Sequence, residues 1–282
     1  MLRPPFLVLG SAGMLGRATE LELSRRGLDV RGVTRAAVDL ARPESIESGV
    51  PEGTGTVINC AGWTNVDSAE SHEEEATRIN GHAVGELAAR CRAIGAVLVH
   101  YSTDYVFAGQ ASAPYATTEP RAPLNAYGRS KAVGELLLEQ SGADYLLLRT
   151  SWVYAPWGKN FVRTILRLAR ERPSLSVVND QLGRPSSAEQ IARVTLELLR
   201  GAALGTFHVS DEGQCTWFEF AGAAIAGAGL SCQVQPCTSA QFPSPAVRPS
   251  YSVLDLTQTT ARVGALQPWQ QSLASVVSRM EP

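Results

Sequence analysis

The feature that most constrains this 282-residue chain lies near its start. The apolar run Phe6-Leu7-Val8-Leu9 ends in Gly10-Ser11-Ala12-Gly13-Met14-Leu15-Gly16, and a helical pattern then continues to about Arg26. A short buried strand, a glycine turn and a helix, in that order, bring bare backbone to a helix N-terminus, where a pyrophosphate is held. The spacing is Gly-x-x-Gly-x-x-Gly rather than Gly-x-Gly-x-x-Gly, so the motif draws its force from position and element order.

The alternation that begins there continues. Asp29 to Thr34 reads as a second strand, Thr56-Val57-Ile58-Asn59-Cys60-Ala61-Gly62 as a buried third, and Ala96 to Asp104 as a fourth. A helix over about 73–94 precedes the fourth strand, and another from Tyr127 precedes the strand Tyr145 to Thr150. Five or six strands alternating with helices predict an α/β fold, a doubly wound, open parallel (Rossmann) sheet with right-handed crossovers. Beyond residue 150 the pattern loosens. It holds an amphipathic helix from Asn160 to Arg172, a short strand at 175–178, a helix over about 187–199 and a strand at 205–209. A helix after Thr216, a Pro-rich loop at 236–249 and a last helix near 268–280 complete it. The expected division is a nucleotide-binding domain over 1–150 and a smaller substrate lobe built mainly from 151–282. About 186–210 is expected to pack back on the sheet.

Ligands in such sheets bind beyond the carboxyl ends of the strands. Gly10 to Gly16, Ala61-Gly62, Ser102-Thr103 and Thr150-Ser151 all fall there. The small residues at 61 and 62 either leave room for a cofactor or serve close packing. At the end of the second strand, where an NAD site usually carries an acid for the ribose, stands Thr34-Arg35. Arg35 reads either as a partner for a 2′-phosphate, favouring NADPH over NADH, or as a solvated loop charge.

The residues that carry chemistry lie in Asn125-Ala126-Tyr127-Gly128-Arg129-Ser130-Lys131. Tyr127 and Lys131 are four apart and share one helix face. A phenol of pKa ~10 is a weak acid at neutral pH, and a fixed ammonium beside it favours the phenolate. So paired, Tyr127 can exchange a proton with a carbonyl oxygen or a hydroxyl. Composition matters here. Of 25 Lys+Arg only Lys131 and Lys159 are lysines, so a lysine at 131 suits a role that needs a compact ammonium.

Other counts remove whole classes. A formal net charge of -2 with no basic run argues against a nucleic-acid partner. No apolar run approaches the ~18–20 residues of a membrane span, and the first residues do not read as a signal peptide. Five cysteines, at 60, 91, 215, 232 and 237, show no C-x-x-C spacing, and the four histidines are scattered, so no zinc site is expected. A reduced, cytoplasmic enzyme fits these features.

With these segments in view, the chain resembles the dTDP-4-dehydrorhamnose reductases among the extended short-chain dehydrogenases/reductases, over nearly its full length. The resemblance rests on the glycine turn, Val57 to Asp67, Tyr101-Ser102-Thr103-Asp104-Tyr105-Val106-Phe107 and the Tyr127/Lys131 segment. It extends to Leu148 to Tyr154, Val178-Asn179-Asp180-Gln181-Leu182-Gly183-Arg184-Pro185, and Arg248-Pro249 with Leu254-Asp255. It implies Thr103, Tyr127 and Lys131 as the catalytic set. The implied reaction is hydride transfer from the nicotinamide to C4 of a 4-keto-6-deoxy-L-hexose carried on dTDP, giving dTDP-L-rhamnose. By the same matching, NADPH (or NADH) is held by Gly10, Ser11, Ala12, Gly13, Met14, Leu15, Gly16, Thr34, Arg35, Asp39, Leu40, Ala61, Gly62, Trp63, Thr64 and Tyr101, together with Tyr127 and Lys131. Thr103, Asp104, Tyr105, Trp152, Asn160, Arg184 and Arg248 are implied around the substrate. The two arginines suit a diphosphate, though each also reads as a surface arginine and Trp152 as a core aromatic. Glu189 matches a position that helps bind magnesium in some members, but the companion glutamate after the glycine turn is Ala18 here, so no metal is expected. The implied partner is the dTDP-ketosugar, and a homodimer is compatible.

Two other readings stand beside this one. A related sugar-nucleotide enzyme is the first; a dehydratase needs Thr-Asp-Glu where this chain has Thr103-Asp104-Tyr105, which leaves reduction of a different ketosugar. The second is a non-catalytic NADP-binding subunit resembling the regulatory subunit of methionine adenosyltransferase. The intact Thr103, Tyr127 and Lys131 weigh against it.

Overall fold

The computed structural model describes residues 2–280. The first half runs β1 (Phe6–Leu9), α1 (Met14–Arg25), β2 (Val30–Val33), α2 (Glu44–Gly49), β3 (Thr56–Asn59), α3 (Val66–Ala69), α4 (Glu73–Thr77), α5 (Ala83–Ile94), β4 (Val97–Thr103), α6 (Ala126–Gln140) and β5 (Tyr145–Thr150). The second half runs β6 (Val153–Tyr154), α7 (Phe161–Glu171), β7 (Ser174–Val178), β8 (Leu182–Gly183), β9 (Ser186–Ser187), α8 (Ala188–Arg200) and β10 (Gly205–His208). It ends with β11 (Cys215–Thr216), α9 (Trp217–Gly227), β12 (Gln233–Cys237), α10 (Thr257–Val263) and α11 (Trp269–Val277).

Six strands form one sheet in the order β10-β5-β4-β3-β1-β2, every neighbour parallel. β1, β3 and β4 are buried on both faces, as a parallel sheet covered by helices requires. Alternate residues divide between two cores. Phe6 and Val8 pack with Ile191, Val194 and Leu198 of α8, while Leu7 and Leu9 join Val84 and Leu87 of α5 and Leu138 of α6. The expected doubly wound sheet is therefore present. Its order reverses between β1 and β3, and ligands of such sheets bind at that switch point.

A third core, around Tyr154, Val162, Leu166, Phe220 and Leu273, belongs to a lobe of α7, α9 and α11 with short two-stranded ladders. The return to the sheet expected near 186–210 is made by α8 and β10, the latter pairing with β5. It also extends further than expected, because Leu256 and Leu266 enter the same core as Phe6 and Val8. The sheet's hydrophobic core is thus completed well beyond residue 150.

Two elements differ from the sequence expectation. The helix over 73–94 is interrupted by a π-helical turn at Arg78–His82. The Pro-rich loop begins inside a strand, since β12 pairs in parallel with β7 through Pro236. A proline reads as a strand breaker, but at the edge of a two-stranded ladder its missing N–H goes unused.

Candidate active site

A cleft of about 530 Å³ lies at the carboxyl ends of the strands, lined by the glycine turn, the segment after β3, and residues of β4 and α6. Gly10 turns the chain at φ 73°, and a Cβ there would sit 2.9 Å from the Ala61 nitrogen, so the turn can rest against the end of β3 only as glycine. α1 then starts at Gly13 with no side-chain cap. By contrast α6, α7, α8 and α9 are capped by Asn125, Asn160, Ser187 and Thr216. The amide groups of the first turn of α1 are therefore left for an anion, which the helix dipole favours. On the cleft's floor Ser102 Oγ and Thr150 Oγ1 are buried without a hydrogen-bond partner among the described residues. An uncapped helix start and unpartnered hydroxyls at the strand ends fit a dinucleotide laid across the switch point.

The cleft's rim near β2 carries Thr34, Arg35, Asp39 and Leu40. Arg35 is exposed, with Nε 3.2 Å from Asp39 Oδ1, and Arg42 Nε lies 3.4 Å from Oδ2. The Ala41 N–H bond, with these guanidiniums, holds the Asp39 carboxyl below its usual range. Arg42 carries a second positive charge beside the expected phosphate partner, and no motif in the sequence singles it out. Ala61, Gly62, Trp63, Thr64 and Tyr101 line the same cleft. The Tyr101 hydroxyl is itself 2.9 Å from Thr195 Oγ1 of α8.

α6 brings Tyr127 and Lys131 to this cleft. Asn125 caps the helix, Oδ1 accepting from Gly128 N at 2.8 Å, and its Nδ2 donates to Val247 O, tying the helix start to the second lobe. Gly128 permits the approach: a Cβ there would be 2.2 Å from the Tyr105 carbonyl oxygen. Lys131 is 5% exposed. Its Nζ donates to Tyr101 O at 2.6 Å and lies 3.1 Å from His100 Nε2. Burial lowers its pKa to about 8, opposed by Glu135.

Here the structure corrects an expectation. The Lys131 ammonium faces the Tyr101 carbonyl and His100 rather than the Tyr127 hydroxyl. The phenol's pKa is raised, first by burial and then by the Asp104 carboxyl, while the Thr103 hydroxyl opposes both. Tyr127 is accordingly held as a phenol, the form that gives a proton.

Thr103, at the last position of β4, donates from Oγ1 to Asp104 Oδ1 at 2.9 Å and accepts from Tyr105 N at 3.1 Å. Rotation of that hydroxyl is needed before its proton can meet a carbonyl oxygen. Asp104 is 3% exposed, its Oδ2 has no partner among the described residues, and burial raises its pKa to about 7. Tyr105 meets the Tyr127 ring edge to face at 6.0 Å. Arg248 stands near Tyr105, its guanidinium bound by both oxygens of Asp67 at 2.9 and 3.0 Å.

Three residues implied around the substrate also make contacts within the fold. Asn160 caps α7, and its Nδ2 donates to Ala155 O and Trp157 O and reaches Met14 Sδ, so its amide holds the lobe to the glycine turn. Arg184 donates to Leu254 O and Gly213 O, strapping two loops. Asn160 thus bonds carbonyls of its own loop, while Arg184 uses Nε and Nη1 on carbonyls far away in the sequence. Trp152, at φ 47°, stacks on Trp217 with centroids 3.5 Å apart, joining the lobe's aromatic cluster. Glu189 is paired with Arg279 through both carboxylate oxygens.

One cleft residue went unread in the sequence. Asn80 sits in the π-helical turn and lines the cleft, accepting from Trp63 N at 2.8 Å and donating to Trp63 O and Ser130 Oγ at 3.0 Å. Such turns recur at functional sites. The only available signal was a polar residue on an otherwise apolar helical stripe.

A Rossmann sheet whose carboxyl edge carries a glycine turn, a strand-end hydroxyl and a Tyr-x-x-x-Lys helix defines a nicotinamide-dependent oxidoreductase of the extended short-chain type. Comparison with known proteins narrows the class. The chain belongs to the family described as RmlD substrate binding domain, whose profile matches residues 5–281. It is 40% identical over 290 residues to a Burkholderia thailandensis protein named dTDP-4-dehydrorhamnose reductase, covering 96% of this chain and 97% of that one. It is 39% identical over 254 residues to a Streptomyces niveus protein named dTDP-4-keto-6-deoxy-D-glucose reductase, covering 88% of each. Among solved structures, the Bacillus anthracis dTDP-4-dehydrorhamnose reductase in complex with NADP matches with a TM-score of 0.95 at 32% identity, covering 99% of this chain and 100% of that one.

Proposed function

We propose that this chain reduces the C4 ketone of dTDP-4-dehydro-6-deoxy-L-mannose to dTDP-L-rhamnose with NADPH. The observation that carries this reading is the meeting of Tyr127 and Lys131 at a dinucleotide cleft, beside Thr103, in a member of this family. The bound nicotinamide supplies the hydride to C4. As negative charge grows on O4, Tyr127 gives up its phenolic proton to that oxygen. Thr103, its hydroxyl turned from Asp104, donates a hydrogen bond to the same atom, so the charge develops against a donor already in place. Lys131 spends two N–H groups on Tyr101 O and His100, which aims the third at the cleft, where it serves the nicotinamide ribose and the departing proton. Ser102 and Thr150 are read as contacts of the cofactor, and Asp104, Tyr105 and Arg248 as contacts of the sugar nucleotide. A cytoplasmic location and a homodimer belong to the same reading.

The Streptomyces niveus relative supports a second substrate, the D-gluco ketosugar named in its description. One assay separates the readings. Purified protein with NADPH and either ketosugar nucleotide is followed at the reduced-nicotinamide absorbance. Turnover of the L-manno substrate at a kcat/KM at least tenfold above the D-gluco isomer is expected. The reverse order assigns the second substrate, and tight NADP binding without turnover of either sinks the enzyme reading in favour of a regulatory subunit.

A further inference from the structure

Behind the cleft lies a row of buried polar groups that the mechanism above does not use. His100, 1% exposed, sits on β4 three residues before Thr103, with Lys131 on one side and Asn59 on the other. Nε2 is 3.1 Å from Lys131 Nζ, and Nδ1 is 3.1 Å from Asn59 Nδ2. Asn59 Oδ1 in turn accepts from Ala61 N at 3.1 Å, at the end of β3 that lines the cleft. The row thus runs unbroken from the cofactor side of the sheet to the lysine.

Counting protons makes the row informative. An ammonium on Lys131 can only donate, so His100 Nε2 must accept, which puts the single proton of the neutral ring on Nδ1. That proton then points at the amide group of Asn59, whose oxygen is engaged by Ala61 N. If Nδ1 accepts instead, the proton sits on Nε2 and Lys131 must accept it as a neutral amine. Every hydrogen bond in the row is satisfied only with one proton fewer than a charged Lys131 supplies. Keeping the ammonium requires the Asn59 amide to turn over, which releases the Ala61 N–H.

We propose that His100 is a positioning residue for this reduction: it fixes Lys131 from the side away from the cleft and links the charge of Lys131 to the Asn59 amide at the cofactor-binding end of the sheet. The proposal rests on the reductase reading above. The groups that face the pair agree with it. Tyr101 O is the other acceptor for Lys131, Glu135 one turn along α6 is the carboxylate that favours its charge, and Lys131 is the charge that acts on His100. Burial and that neighbouring charge hold the imidazole well below its ordinary pKa, so it stays neutral at working pH while Lys131 titrates.

The test has two arms. In the first, wild type, His100→Phe and His100→Gln are compared for NADPH reduction across pH 6–10. His100→Phe is expected to lower kcat by about 10–100-fold, with KM for the ketosugar changed less than about threefold, and to displace the alkaline limb of the profile. His100→Gln, which keeps an acceptor oxygen, restores most of the rate. A His100→Phe enzyme of unchanged kcat and unchanged pH limb overturns the proposal. The second arm needs no variant: in ¹⁵N-histidine-labelled wild-type protein, the His100 nitrogens should stay neutral from pH 5 to 9 and shift with a midpoint near that of Lys131. An ordinary imidazole titration near pH ~6.5 overturns it. If wild type reduces no ketosugar, the reductase reading fails while this second arm still decides the role of His100.

Discussion

Tyr127 stays protonated because its surroundings refuse it a charge. Burial and Asp104 both disfavour the phenolate, so the proton leaves only when an oxygen of rising basicity meets it. Tyr127→Phe keeps the ring and its contact with Tyr105 while removing that proton. We expect NADP affinity within a factor of about three and kcat reduced by ~10²–10⁴, the usual weight of a general acid, measured by cofactor fluorescence and by steady-state turnover. An unchanged kcat would reassign the acid. Tyr127, Lys131 and Thr103 were legible in the sequence because helix spacing and a strand end dictate where such side chains come out. The hydrogen bonds of Asn160 and Arg184 were not. Their partners are carbonyls of Ala155, Trp157, Leu254 and Gly213, and nothing in a side chain's identity announces which backbone oxygen will come within reach.

At the scale of elements, α6 is held to the sheet by charge as well as by packing. Glu135 is fully buried and takes a fork of two hydrogen bonds from Arg149 of β5, at 2.9 and 2.7 Å, with Arg121 at 3.1 Å on one oxygen. Removing one partner of such a pair leaves a buried charge without compensation, at a cost of about 3–5 kcal/mol. Glu135→Gln is therefore expected to lose stability of that order in urea denaturation, while a paired replacement of Glu135 and Arg149 by apolar residues loses much less. Equal losses would mean that packing, not the charge pair, fixes the helix. Strand and helix order was plain from hydrophobic runs and turn residues. The π-helical turn at Arg78–His82 was not, because one extra residue in a helical stripe leaves the apolar period almost unchanged, and only the contacts of Asn80 across to Trp63 and Ser130 reveal it.

For the whole molecule, carboxyls of two kinds and two buried histidines set how stability follows pH. Asp104 and Asp211 are both raised by burial to about 7. Between the unfolded value of ~3.9 and 7 the folded chain binds the extra protons, so stability falls as pH rises through that interval and the loss is complete above it. Glu135, Glu73 and Asp39 are depressed, so their contribution is present above the unfolded value of ~4 and disappears as pH falls through the folded one. His100 and His208, buried and held below the ordinary imidazole value, add stability as pH rises toward ~6.5 and oppose the fall set by Asp104 and Asp211. The wild-type Tm is therefore expected to be nearly flat from pH ~5 to ~6.5, and Asp211→Asn to turn that plateau into a rise. Scanning calorimetry from pH 4 to 9 checks this, and a Tm that climbs steadily from 5 to 8 contradicts it. The sheet and the second lobe were foreseeable from pattern. The late return of Leu256 and Leu266 to the first core was not, since single leucines in a loop carry no periodic signal.

That late return has a consequence for how the protein is made. A ribosome adds about 5–20 residues per second, so tens of seconds separate the emergence of the glycine turn from that of Leu266. Throughout that interval the part of the sheet's core that Leu256 and Leu266 complete stays open. The nascent chain therefore cannot complete the core of its cofactor half until residues of the second half have emerged.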